Sequence, residues 1–251
     1  MKTLFAAFLL IMPGAAFASA ESLFRDGRFA EAAGAGRAEG TMASLVLAGR
    51  ATLIVASFDT TDRDRAKTLV DQADHDFDAA LALAPDNLGA QLQKATAVGY
   101  RAKLSKSPGL GKETRSRMEA VLARDPSNGL AWASLGGWHA GSIATIGKFL
   151  AGTMLGANLK VAITDFDTAI AKDPKNPVHP AFYGLTLLDL DAGNAPRALQ
   201  VLQMAARDPA RDAYEGMLKK AVAQVIPLLT AGDVKGAQTL ARRLLPFGKL
   251  A

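Results

Sequence analysis

The chain has 251 residues, a formal charge of +5 from 29 Lys and Arg against 24 Asp and Glu, and no cysteine. The missing cysteine excludes a disulfide framework, a lipid-modified cysteine anchor and a thiol nucleophile. The mild basic excess is spread out, its longest groups being Lys219-Lys220 and Arg242-Arg243, and it lacks the stripe with stacking aromatics that a nucleic-acid binder carries.

Residues 1–20 read MKTLFAAFLLIMPGAAFASA. Lys2 precedes an apolar run from Leu4 to Met12, Pro13 and Gly14 break it, and Ala18-Ser19-Ala20 closes it with small residues. That order predicts a signal peptide cleaved after Ala20 and a periplasmic mature domain spanning 21–251. The run is shorter than the roughly 20 residues a membrane span needs, so no transmembrane anchor is expected in the mature chain. Alanine, leucine and charged residues dominate the remainder, which favours helices over strands. Periodicity predicts a short helix over 28–39, then the pairs 41–57 with 62–84, 87–103 with 112–124, 128–141 with 156–172, 177–191 with 194–208, and 212–230 with 233–245. Ser127 and Asn176, each after an Asp-Pro stop, are expected to cap the helices they precede.

Two segments repeat a pattern. ADHDFDAALALAP (73–85) and AITDFDTAIAKDP (162–174) place Ala73, Phe77, Ala80 and Pro85 at the same spacing as Ala162, Phe166, Ala169 and Pro174. On a helix the Ala, Phe and Ala share one face, where small residues admit a partner helix and the ring fills the gap. The Pro stops the helix beyond its last turn. Pro126 and Pro209 end two further helices in the same way, and the first-helix segment at 132–139 reads Trp-Ala-Ser-Leu-Gly-Gly-Trp-His.

With these motifs, roughly Ala43 to Leu245 resembles the tetratricopeptide-repeat (TPR) family. Its first helix carries Trp-x2-Leu-Gly-x2-Tyr and its second Ala-x3-Phe followed by Pro; here Trp132, Leu135 and Gly136 match, and His139 replaces the Tyr. The resemblance implies an all-α, right-handed solenoid of about four to five antiparallel helix pairs. The proline stops are 41, 48 and 35 residues apart where a regular array repeats every ~34. Insertions are therefore expected near 105–114 (the loop SKSPGLGKET) and 141–156.

Catalytic patterns are missing. Gly109-Leu-Gly-Lys-Glu-Thr114 departs from a phosphate loop, because Lys106 stands where its first Gly belongs and Glu113 follows Lys112. His75, His139 and His179 form no zinc spacing, and the acidic cluster Asp71, Asp74, His75 and Asp76 reads as a solvated face. The expectation is a non-enzyme with no metal and no cofactor.

Residues 142–157, SIATIGKFLAGTMLGA, form a glycine-rich apolar elbow. Small residues Ala140, Ala144, Gly147 and Ala151 share one helical face, and Ile143, Ile146, Leu150 and Met154 share another. Two readings stay open: an extension packed into the stack, or a pocket lining or self-association patch built from Phe149, Leu150, Met154 and Leu155. The resemblance places Leu92, Thr96, Tyr100, Leu130, Ala133, Gly137, Ala181, Leu185 and Leu188 on the inner surface. The Lys, Arg and Asn with which better-known members grip acidic peptide termini are absent from those positions. The expected contact residues are Tyr100, Trp138, His139, Phe149, Leu150, Met154, Leu155, Tyr183 and Leu185. The expected partner is an envelope protein or peptide in an apolar groove, or else an apolar, lipid-like small molecule in a pocket lined by the elbow, with homo-oligomerisation as a further expectation.

Overall fold

The structure, a computed structural model, describes residues 18–207 and 209–250. The signal-peptide expectation falls mostly on residues outside that range. Every regular element among the described residues is helical. The α-helices are α1 (Ala20–Arg25), α2 (Phe29–Glu39), α3 (Met42–Ile54), α4 (Arg63–Leu83), α5 (Leu88–Ser105), α6 (Pro108–Arg124), α7 (Gly129–Ile146), α8 (Lys148–Leu150), α9 (Leu159–Lys172), α10 (Val178–Leu190), α11 (Ala195–Arg207), α12 (Ala213–Thr230) and α13 (Val234–Leu244). Wider π-turns follow α3 at Val55–Asp59 and α8 at Ala151–Leu155.

Local chemistry sets the helix starts. Thr41 and Ser44 form a reciprocal capping box at α3, and the side chains of Asp62, Asn87, Ser107, Asn128, Asn158, Asp212 and Asp233 accept first-turn amides of the helices they precede. Each such cap contributes about 1 kcal/mol. Three expectations need correction. Asn128, one residue beyond Ser127, caps α7; Ser127 bonds back to Asp125 instead. Pro177, not Asn176, is the N-cap of α10, and Asn176 accepts only from Val178 N. Most of 105–114 is helix rather than loop: Lys106 takes a left-handed conformation (φ 52°), Ser107 caps, and Pro108 opens α6. A proline fits the first helical position because the amide it lacks has no partner there.

Close packing follows the small residues. Phe77 and Phe166 are buried and sit over Gly49 and Gly136 of the preceding helix. Gly99 meets Thr114 in the same way, and a Cβ on Gly184 would lie 2.5 Å from Leu202 Cγ. One glycine on each of α3, α5, α7 and α10 thus receives a side chain from α4, α6, α9 and α11 in turn. The cluster 71–76 is not a solvated face throughout. Asp74 is buried between Lys94 and Arg101 (2.9 Å each), and Asp76 is buried against Arg37 at 2.7 Å.

Helices α3, α5, α7, α10 and α12 also touch one another in series, and α1 contacts both α3 and α12. The first described helix and the last but one therefore meet. Phe58, in the π-turn after α3, lies 6.5 Å from the Phe182 ring and 6.3 Å from that of Tyr214. Ala213, Tyr214 and Met217 pack on the apolar cluster formed by α1, α2 and α3. The C-terminal segment closes a second side: Phe247 N donates to Ser57 O at 2.8 Å, and its ring meets Tyr100 edge-on at 4.9 Å.

Candidate functional site

The closed series of helices surrounds a cavity of about 510 Å³, within the range of small-molecule sites. Four helices give it one stripe each, at the three-, four- and seven-residue spacing that keeps side chains on one face. From α3 and its π-turn come Arg50, Leu53, Ile54, Ser57 and Phe58, and from α5 Gln93, Thr96, Gly99, Tyr100 and Lys103. From α7 come Leu130, Ala133, Gly137, Trp138, Gly141, Ala144 and Thr145, and from α10 Val178, Phe182, Thr186 and Asp189. Tyr214 of α12 and Leu245-Pro246 of the C-terminal segment complete the wall. At 1.5 Å per residue the α10 and α7 stripes run roughly 17 and 23 Å, so the cavity is elongated. Small residues keep it empty: a Cβ on Gly141 would meet nothing within 4 Å.

The wall is mostly apolar, with phenols and a few charges set into it. Tyr100 and Tyr214 retain accessible surface, and that surface is cavity wall. Burial pushes the Tyr100 hydroxyl up to about 12 and raises that of Tyr214 further, so both stay protonated. Burial also lowers Lys103, with Asp189 opposing it. Lys103 Nζ donates to Pro246 O at 2.9 Å and lies over the Phe247 ring. Two of the other charges are paired in place, Arg211 with Glu215 and Asp189 with Arg242 at 2.7 Å, while Asp212 keeps its charge and accepts from Glu215 N at 2.8 Å.

The nine expected contact residues divide into three groups. Tyr100, Trp138 and Leu155 line the cavity. Trp138 is buried, and its Nε1 donates to Gly111 O at 2.8 Å beneath the Arg115 guanidinium. His139, Tyr183 and Leu185 pack in the interior instead. Tyr183 stacks on Phe166 at 4.8 Å. His139 Nδ1 accepts from Asn158 N at 3.2 Å, and its Nε2 lies 4.0 Å from a buried Asp165 oxygen that has no hydrogen-bond partner. Burial lowers His139 to about 4 and raises Asp165 to about 6.

Phe149, Leu150 and Met154 face outward, exposed by 78, 47 and 44 %. The reason is the backbone. Gly147 ends α7 at φ 82°, and Gly156 reverses the chain at φ 69°. Between them only Ala151 and Leu155 turn inward, onto Leu92, Met118 and Trp138. The elbow thus contributes Ala144, Thr145, Ile146 and Leu155 to the cavity and presents its larger residues outside. Of the inner-surface residues expected from the resemblance, Thr96, Tyr100, Leu130, Ala133 and Gly137 line the cavity, whereas Leu92, Ala181, Leu185 and Leu188 are core.

Sequence reading missed Arg50, Ser57, Phe58, Phe182 and Tyr214. One signal was available: Arg50 is the sole charge between Met42 and Phe58, in a stretch whose mean hydropathy of 1.4 would satisfy a membrane span. No group of three His, Asp, Glu or Cys suited to a metal occurs among the described residues. Neither a family model nor a curated protein matches this chain.

Proposed function

We propose that this chain is a TPR-like array closed into a ring, and that it carries an apolar small molecule in the central cavity as a non-catalytic periplasmic carrier or accessory protein. The observation that supports this reading is the meeting of α1 and α12, which turns an open concave surface into an elongated, largely apolar chamber. A bound peptide brings a donor and an acceptor at nearly every residue, and burying these unpaired is costly. Helical walls have already used their own backbone groups. An apolar chain asks for no such partners, and its removal from water contributes about 25 cal/mol for each Å² buried. The pairing of α3 with α4, α5 with α6, α7 with α9 and α10 with α11 follows the order that the TPR resemblance implies.

Native mass spectrometry of protein purified without denaturant tests the proposal. The expected result is a near-stoichiometric mass increment that organic extraction releases and that Gly141→Phe, which fills the chamber, abolishes. A clean apo mass, together with failure to take up any long-chain probe, would overturn it.

A further inference from the structure

Arg50 stands apart from every other charge in the chamber. It is the lone charged residue of the apolar stretch of α3, and it stands between the central cavity, beside Leu53 and Ile54, and the smaller cleft that Phe24 lines. Its guanidinium lies 5.1 Å over the Phe24 ring. Among the described residues it makes no hydrogen bond, and no carboxylate lies within 4.0 Å. The remaining wall cations differ. Arg211 is held by Glu215, Lys103 by Pro246 O and the Phe247 ring, and Lys106 sits at the lip where α5 ends.

A second donor lines the same cavity: Tyr214 makes no hydrogen bond among the described residues. Burial raises its pKa, Tyr100 adds to that, and Arg50 is near enough to oppose both. The phenol therefore remains a neutral donor beside a cation. The acidic groups nearby have other duties: Asp212 caps α12 through Glu215 N, and Glu39, across the smaller cleft that Arg50 also lines, holds Ala20 N at 2.8 Å.

Building on the carrier reading above, we infer that the ligand is an amphipathic anion, a long-chain carboxylate whose head is bound by Arg50 and Tyr214 while its chain lies along the α7 and α10 stripes. A guanidinium offers the planar pair of N–H donors that a carboxylate accepts with both oxygens. One unpaired guanidinium balances one negative charge; the second charge of a phosphate would face Asp212 uncompensated. Left empty, the site keeps an arginine whose guanidinium has the Phe24 ring but no carboxylate beside it.

The experiment compares dodecanoate with dodecanol, the same chain with a neutral head, by calorimetric titration at pH 8 into the wild type, Arg50→Leu and Lys103→Met. The wild type is expected to prefer the carboxylate by about ten- to a hundred-fold, the range of a hydrogen bond to a charged group. Arg50→Leu is expected to erase that preference while binding the alcohol as before, which also shows that the variant is folded. Lys103→Met is expected to retain it. Equal binding of both ligands by the wild type, or loss of the preference in Lys103→Met rather than Arg50→Leu, overturns the assignment to Arg50 and leaves the carrier standing. If neither ligand binds any form, the carrier reading fails as well.

Discussion

Gly141 is where the chamber is most directly tested, because the same kind of substitution has opposite consequences at two glycines. At Gly141, in the interior of α7, a Cβ enters open space. Gly→Ala then brings only the restriction of the unfolded chain and the better helix propensity, so it should stabilise by about 0.4–1 kcal/mol. At Gly184 in α10 the new Cβ would lie 2.5 Å from Leu202 Cγ and 3.1 Å from Val201 Cγ2, both on buried side chains. Overpacking of that kind costs about 1–3 kcal/mol. For a protein of this size 1 kcal/mol moves Tm by roughly 2–4 °C, so thermal melts of the two alanine variants should shift in opposite directions. Gly141→Phe should fold and melt near the wild type yet take up no long-chain ligand. Loss of more than 1 kcal/mol in Gly141→Ala would mean that this face of α7 is packed, and the chamber as described would not exist.

Asp165→Asn probes the buried pair with His139. Because burial raises the carboxyl, the native state holds that proton more tightly, and the associated stability is lost as pH rises from about 4 through 6. Asparagine has no proton to lose, so its advantage in urea melts should grow across that range and level off above it, reaching about 1–3 kcal/mol. His139 has the opposite sign: its depressed pKa contributes stability present above 6.5 and lost as pH falls towards 4, so the variant alone should show a slope rising with pH. Trp138→Phe removes the indole donor to Gly111 O, a carbonyl that keeps its place in the α6 hydrogen-bond ladder, and should cost about 0.5–1.5 kcal/mol in chemical denaturation. Phe149→Ser, at a residue 78 % exposed, should change Tm little, within about 0.5 kcal/mol; a large loss would place the elbow in the core.

Short-range order was legible in the sequence. The Ala-x3-Phe segments identify α4 and α9 because one buried ring needs small neighbours at fixed spacing, and that requirement lies within a single helix. Gly136 was readable for the same reason. Ser107-Pro108 lies in the expected loop yet opens α6, because a proline after a Ser cap fits the first helical position. What escaped was anything that depends on distant segments meeting. Nothing in the spacing around Phe58 shows that it will meet Phe182 and Tyr214. Tyr183 and Tyr100 look alike in sequence, yet they occupy different faces of their helices, the first in the core and the second on the cavity wall. Helical periodicity through the elbow assumes one continuous helix, whereas Gly147 and Gly156 break it and decide which of its residues face inward.

Side-chain size is divided between wall and seam. Along α7 the inward residues Ala133, Gly137, Gly141 and Ala144 are small and leave volume beside Leu130 and Trp138, while the rings of Phe58, Phe182 and Tyr214 gather where the segment after α3 meets α10 and α12. Phe58 should therefore hold the ring shut more than it fills it. Each aromatic contact at the seam contributes about 0.5–1.5 kcal/mol beyond burial, and truncation of a buried Phe costs about 3–5 kcal/mol in all. Because Phe247 N still binds Ser57 O on the other side, Phe58→Ala should loosen α1 and α12 without dissolving the fold. Hydrogen exchange is expected to speed up in α1 and the first turns of α12, leaving α7 and α9 protected, and a bound long-chain ligand should dissociate faster with little change in its association rate. Uniform loss of protection throughout the chain would mean that Phe58 supports the whole core, and the distinction between seam and wall would fail.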